Sequence, residues 1–513
     1  MRPARRTRAA PAALALAFAL AQAAASVSCE RPAESAARRL IGLWMRETGA
    51  PAAQITAARR GQVLWSEAFG QANVELGAPA TTHTRFRIGS VSKSLTSAAL
   101  GALVEDGRLD LDAPIQKYLP DYPEKPWPVT SRQLASHLAG VRHYAEGEFE
   151  NQRHFDSVRA SLSVFENDPL LFEPGTRYSY SSYGWNLLSA VLERAADEPF
   201  LDLMRRRVFE PAGLTETTAD DPLTIVPRRA SFYTLDEKTG ALRNARAVDN
   251  SVKWASGGFV STTADLVRFA EALRAGRLLR PETVRLLWTS LATRDGKETE
   301  YGLGWGVGRD PRGRRTVNHS GGAQGGTAYL ILYPDEGFAV AMLVNSDVSF
   351  TRRTPRLARL LLDGVDSERL WDDGAGLSLV LPESWWTRYE GDVKTGAAAG
   401  AIRPKAAEVV RFTYLPTQRA RGDQTLLTLA VFSRGDWDAR APALDDAPPG
   451  DVVGESAGRV VVAEVPLPSF NPYPAGSPDA KAFAAMRLDA AAVRRALTLR
   501  AAAAGKVAAA RIQ

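Results

Sequence analysis

Apolar and polar positions alternate along this chain in two different rhythms, and the rhythm changes place the elements. Residues 35–47 repeat at helical spacing, with Leu40, Ile41, Trp44 and Met45 on one side. Residues 53–69 alternate as a hairpin that turns near Arg60-Gly61. A helical pattern then opens at Ser90 and runs to about Val104, where Asp106-Gly107 ends it. The stretch 110–128 carries Pro114, Pro120, Pro123, Pro126 and Pro128, which predicts loop. Helical patterns follow over 132–138, broken at Gly140, then over 183–196 and 200–209. Another is opened by Ser261-Thr262-Thr263 and runs to about Leu273. Strands are expected over 301–307, 328–332 and 338–344, the last two joined at Pro334-Asp335-Glu336-Gly337, and a closing helix over 356–362. The order helix, strands, helical middle, strands, helix predicts an α+β fold. In it an antiparallel sheet is faced by the two terminal helices and carries an inserted helical subdomain.

Beyond about Val365 the texture shifts. Residues 365–376, ending in Asp372-Asp373-Gly374-Ala375-Gly376, read as a linker. Residues 377–500 then show strand runs at 377–381, 409–415, 426–432 and 460–465 and a helical run at 488–499. This is the pattern of a separate, smaller α+β domain, followed by an Ala-rich tail over 501–513. No internal repeat is present.

Length and charge narrow the classes. At 513 residues the chain predicts more than one domain. The formal charge of +6 comes largely from Arg2, Arg5, Arg6 and Arg8. Residues 1–28 hold no acid, so the remainder is close to neutral and gives no reason to expect a nucleic-acid partner. That same segment pairs its arginines with an apolar run over 12–21, too short for a membrane span and fitting for an export signal. Cys29 is the sole cysteine, which excludes internal disulfides. Ser26-Val27-Ser28-Cys29 is similar to a lipobox, with Ser26 where leucine is usual; cleavage after Ala23-Ala24-Ala25 is the alternative. The expected location is the periplasm, with lipidated Cys29 as a membrane anchor under the first reading.

The chemistry centres on Ser90-Val91-Ser92-Lys93. On a helix, positions i and i+3 share a face, so an amine sits one turn from a hydroxyl. That pairing suits an activated nucleophile, and the helix start offers free N–H groups to an oxyanion. Taken alone, a serine N-cap followed by a surface lysine explains it better. Two distant stretches change the balance: Tyr180-Ser181-Ser182 just before a helix, and His319-Ser320-Gly321-Gly322 just before a strand.

In order and spacing the three stretches resemble the S-x-x-K, Y-x-N and K-T-G or H-x-G elements of the penicillin-binding and class C β-lactamase-related serine hydrolases. Leu134-x-x-His137-x-x-Gly140, Gly257-Gly258-Phe259-x-Ser261-Thr262 and Tyr301-Gly302-x-Gly304-Trp305 agree. Residues 136–144 and 248–254 are similar to the branch that holds the mitochondrial serine β-lactamase-like protein and its bacterial relatives. The resemblance covers about 34–364. It implies that Ser90 forms an acyl-enzyme and that Lys93 and Tyr180 share proton transfer, either one being the base. It implies an oxyanion hole from the N–H groups of Ser90 and Gly322, and substrate held along His319, Ser320 and Gly321. Ser182 stands where the family has asparagine; it offers one donor instead of two, which weakens the case for β-lactam recognition and leaves hydrolysis intact.

Other signals carry less. Gly454-Glu455-Ser456-Ala457-Gly458 is a G-x-S-x-G, but a strand pattern follows it and no histidine comes after His319. Lys394-Thr395-Gly396 is a literal K-T-G in an expected turn past the closing helix, so Lys394 reads as a solvated loop residue. His83, His137, His143, His154 and His319 show no metal-ligand spacing, so neither metal nor cofactor is expected, and His137 reads as a loop brace. Trp385-Trp386 reads as core. The expected activity is hydrolysis of peptide, amide or ester substrates, with a peptidase leading. The alternatives are an esterase or weak β-lactamase on the same scaffold, or a non-catalytic binding or assembly protein working through its C-terminal domain.

Overall fold

The strands of the computed structural model are β1 (Ala52–Arg59), β2 (Gln62–Asn73), β3 (Ala78–Pro79), β4 (Phe86–Arg87), β5 (Thr218–Ala219), β6 (Tyr233–Leu235), β7 (Leu242–Asn244), β8 (Phe259–Ser261), β9 (Gly306–Arg309), β10 (Arg315–Ala323), β11 (Gly326–Tyr333) and β12 (Phe338–Val344). Seven of them form an antiparallel sheet in the order β3-β2-β1-β12-β11-β10-β9. The structure describes residues 32–236, 239–347 and 351–364, the segments 370–372, 377–380, 389–395, 408–414, 424–433, 451–456, 459–464 and 497–499, and positions 475 and 480. The expected export signal, Cys29, Trp385-Trp386 and the tail 501–513 lie outside the described residues.

Helices α1 (Pro32–Thr48) and α5 (Thr354–Asp363) cover one face of this sheet; α2 (Val91–Glu105), α3 (Ser182–Ala196) and α4 (Thr263–Arg274) belong to the other side. Because both faces of the central strands are covered, β12 reads Phe-Ala-Val-Ala-Met-Leu-Val and is buried throughout. Its even-odd alternation sends Val340 and Met342 to the terminal helices and Ala341 and Leu343 to the inserted subdomain. On β1 the inner positions include Gln54 and Thr56, and both are satisfied. Gln54 Oε1 accepts from Thr263 N at 2.7 Å, and Thr56 Oγ1 meets Thr263 Oγ1 at 2.8 Å, so the strand holds the start of α4.

The subdomain between β4 and β9 is organised around α2, which is rich in Ser, Thr, Ala and Gly and buried from Val91 to Leu103. Its hydroxyls bond locally or to neighbours: Ser94 Oγ donates to Gly304 O at 2.8 Å, and Trp305 Nε1 donates to Ser97 Oγ at 2.9 Å. Small residues let the surrounding chain close in; a Cβ on Gly304 would lie 3.0 Å from Lys93 O.

Some local expectations shift. Residues 301–305 turn instead of extending, because Gly304 takes φ +86° and Trp305 is drawn into stacking with Phe269; the strand begins at Gly306. His319-Ser320-Gly321-Gly322 stands just before a strand, β11, as expected, and itself lies within a further strand, β10. The run 200–209 is α-helical over Phe200–Met204 and π-helical over Arg205–Phe209. Leu370–Asp372, expected in a linker, pairs with Leu377–Val380. Lys394 and Thr395, expected in a turn, end the strand Tyr389–Thr395, and Leu497–Leu499, expected in a helix, pairs with Leu377–Leu379. In these last three segments, cross-strand pairing overrides the local propensity.

Candidate active site

β4 pairs with β8, and Ile88 N donates to Phe259 O at 3.1 Å, so the chain stays extended up to Ile88. Gly89 then turns it at φ +47°, and Ser90 begins α2. Ser90 occupies the N-cap position without capping: its side chain makes no bond to the helix N-terminus. Its Oγ instead lies 3.0 Å from Lys93 Nζ. Lys93 Nζ also lies 2.7 Å from Ser256 O and 3.2 Å from Ser182 Oγ. Tyr180 hydrogen-bonds Ser90, and Lys93 Nζ sits 4.9 Å from the Tyr180 ring centroid. Ser181 holds this arrangement as the N-cap of α3, accepting from Gly184 N at 2.9 Å and donating to Arg142 O at 2.7 Å.

Burial decides the protonation states. Lys93 is fully buried, which pushes its amine well below the usual lysine range, and the nearby Lys253 charge adds to this. A neutral amine has two donors and one lone pair, and the contacts fit: donation to Ser256 O and Ser182 Oγ, with the lone pair facing Ser90. Burial raises Tyr180 in the opposite sense, with the Ser90 bond opposing it, so the phenol stays protonated. This arrangement can take a proton from Ser90 at neutral pH and hand one on from Tyr180.

The histidines are held neutral around the pair. His137, at φ +63°, accepts from Ser181 N through Nδ1 at 3.1 Å and lies under Tyr180, ring centroids 4.1 Å apart. It braces the loop, and burial keeps it well below its usual value. His319 is pushed down to about 3, chiefly by burial. Its Nδ1 faces Ser320 O at 2.6 Å and must donate, so Nε2 accepts from Tyr301 Oη at 2.8 Å.

Two glycines join the Ser90 turn to β10. A Cβ on Gly321 would fall 2.0 Å from Ile88 O, and one on Gly89 would fall 2.5 Å from Gly322 O. β9 pairs with β10 only over Arg315–Asn318, which leaves the β10 edge from His319 to Ala323 without a strand partner among the described residues.

A cavity of about 230 Å³ opens beside Ser90, lined by residues that include Tyr180, Ser182 and Gly322. Of the remaining expected substrate contacts, the His319 ring faces Tyr301 and Gly321 abuts Ile88; His319, Ser320 and Gly321 do not line the cavity and lie along the open β10 edge. Tyr144, His143, Ser256 and Lys253 line it and carried no role in the sequence reading. Tyr144 hydrogen-bonds Ser182 and Ser256, and His143 Nδ1 accepts from Ser182 N at 3.2 Å. They lie far from Ser90 in sequence and match no spacing rule. For His143, Tyr144 and Lys253 the one signal was membership of the 136–144 and 248–254 stretches, and Ser256 lies in neither; Asp249 caps the turn that presents Lys253, its side chain accepting from Ser251 N at 2.8 Å.

Ser456 ends a strand that pairs with Arg459–Glu464, so the G-x-S-x-G runs into a second strand and not a helix. Among the described residues no cluster of His, Cys, Asp and Glu is arranged to hold a metal ion, and no helix is long and apolar enough to cross a membrane.

Comparison with known proteins places this geometry. The family model described as Beta-lactamase matches residues 37–364. The human mitochondrial serine beta-lactamase-like protein LACTB is 31% identical over 402 residues, covering 60% of this chain and 73% of that protein. Esterase EstB of Burkholderia gladioli is 28% identical over 383 residues, covering 65% of this chain and 96% of that protein. Among solved structures, the octameric penicillin-binding protein homologue from Pyrococcus abyssi superposes with a TM-score of 0.57 at 24% identity, over 77% of this chain and 90% of that one. At that identity the likeness speaks for the fold.

Proposed function

This chain belongs to the beta-lactamase family of serine hydrolases, and on that premise we propose that it is an exported peptidase working through an acyl-enzyme on Ser90. The observation that carries the reading is the fully buried Lys93 amine 3.0 Å from Ser90 Oγ. Lys93 takes the Ser90 proton as Oγ bonds to the scissile carbonyl carbon. The resulting oxyanion faces the N–H groups of Ser90 and Gly322. Tyr180 gives its proton to the leaving amine as the C–N bond breaks and regains one from Lys93. Water then attacks the ester with the same pair running in reverse, which restores Ser90. The unpaired β10 edge supports a peptide, since an extended backbone can add to it as a strand.

A second reading, an esterase, is favoured by Ser182, which carries one hydroxyl in place of an amide, and by the esterase among the relatives. Hydrolysis of a peptide panel against short-chain esters and a chromogenic β-lactam separates the readings. Fluorophosphonate labelling tests their shared premise: wild type should label and Ser90→Ala should not. Equal labelling of the two sinks the nucleophile assignment. The export component rests on the arginine-led apolar run before Cys29; incorporation of labelled palmitate, lost in Cys29→Ala, would support the lipid anchor.

A further inference from the structure

Residues 142–144 run alongside 181–182 and clasp them one after another. Arg142 O accepts from Ser181 Oγ at 2.7 Å, His143 Nδ1 accepts from Ser182 N at 3.2 Å, and the Tyr144 hydroxyl bonds Ser182 and Ser256. The Tyr144 ring is fixed by its neighbours: it meets Tyr183 edge-on, centroids 5.0 Å apart, and lies 5.4 Å from Phe149. Burial raises the phenol, so at neutral pH it keeps its proton and can both give and accept. Packing accounts for the ring, and a phenylalanine would pack as well. The hydroxyl has another setting. Its partners Ser182 and Ser256 are the residues that hold the Lys93 amine, which reaches Ser182 Oγ at 3.2 Å and Ser256 O at 2.7 Å. Nothing in the acylation steps above uses Tyr144.

The directions of these bonds can be worked out from the far end. Ser256 Oγ donates to Lys253 O at 3.4 Å, and a carbonyl only accepts. With that proton committed, Ser256 Oγ takes the Tyr144 proton, Tyr144 Oη takes the Ser182 proton, and Ser182 Oγ is left to accept from Lys93. The order matters because a serine hydroxyl by itself is ambiguous. It can also turn its proton onto the Lys93 lone pair, and the amine then has no place for the Ser90 proton. An asparagine at this position carries no such ambiguity, since an amide oxygen only accepts. We propose that Tyr144 is a positioning residue for the base: it takes up the Ser182 proton, so that Ser182 holds Lys93 as an asparagine oxygen would and the lone pair stays open to Ser90. The inference rests on the reading of Ser90 as nucleophile and Lys93 as its base. As Lys93 gains the proton, the same chain spreads part of the new charge through hydroxyls that polarise one another.

The test is a double-mutant cycle on positions 144 and 182. It is read by the rate constant for fluorophosphonate labelling of Ser90 and by kcat and KM for p-nitrophenyl acetate. Tyr144→Phe keeps the ring and should slow labelling and lower kcat by about three- to tenfold, the worth of one neutral hydrogen bond, with KM nearly unchanged. In a Ser182→Asn background the same change should have little effect, because an amide oxygen needs no partner to fix its direction. Ser182→Ala has no proton to direct and should likewise make Tyr144→Phe silent; it stands in if the Ser182→Asn variant does not fold, as read by its thermal midpoint. Tyr144→Phe labelling at the wild-type rate overturns the proposal. So does an equal loss in all three backgrounds, the additive result that a packing role of the side chain gives. The failures separate: normal labelling of wild type without the 144–182 coupling defeats this inference alone, and absent labelling of wild type defeats the nucleophile itself.

Discussion

The two faces of the seven-stranded sheet are built on different terms. Under the terminal helices lie Trp44, Ile55, Ile331, Val340, Met342 and Leu357, a tightly filled apolar layer. On the other side α2 brings Lys93, Ser94, Thr96 and Ser97 into full burial, and His137 and Asn186 sit nearby in the same interior. The first face contributes the stability expected of apolar burial. The second gives some up by enclosing polar groups: His137 Nε2 and Asn186 Oδ1 have no partner among the described residues. What it gains is an enclosed site in which burial holds the Lys93 amine well below the usual lysine range. Stability and chemistry are thus divided between the faces of one sheet.

The sharpest way to break that division is Lys93→Met. It should lower kcat/KM by about 10²–10⁴-fold, the usual worth of a positioned base, yet raise the thermal midpoint. The sign follows from linkage. The folded-state pKa of Lys93 is depressed, so between that value and about 10.4 the unfolded chain binds more protons and wild-type stability rises with pH. The variant's advantage should be largest at low pH and vanish as pH approaches 10; a variant less stable than wild type at every pH would contradict the division. The converse change, Trp44→Ala, should cost about 3–5 kcal/mol in denaturant unfolding and leave the activity per folded molecule intact. A proportional loss of kcat there would mean that the faces are coupled. Gly321→Ala probes the seam. Its Cβ meets Ile88 O at 2.0 Å, so about 1–3 kcal/mol of stability should go. Ser90 labelling should also slow more than in Trp44→Ala, because the displaced strand carries the turn with it.

Much of the first face was legible in the chain itself. Leu40, Ile41 and Trp44 at helical spacing and the continuous apolar run of β12 fix both elements and their burial, because period and composition are local properties. The pairing of Ser90 with Lys93 was legible for the same reason, being one helical turn. The local expectation for 301–305 failed because Trp305 is buried by Phe269 and Gly304 is pressed against α2; neither contact leaves a trace in spacing. His319 was legible as a motif and not as a geometry, since only its packing against Tyr301 turns the ring from the cavity.

The sequence by itself determined the element order, the sheet-and-insert architecture and the hydroxyl–amine pair at the head of α2, all of which follow from periodicity and short-range spacing. Only the tertiary structure shows that burial lowers the Lys93 amine and raises the Tyr180 phenol, and that Lys253 lines the same cavity. Both depend on how much water and which charges surround a side chain, and folding sets that by bringing residues 90, 144, 180, 253 and 322 around one cavity.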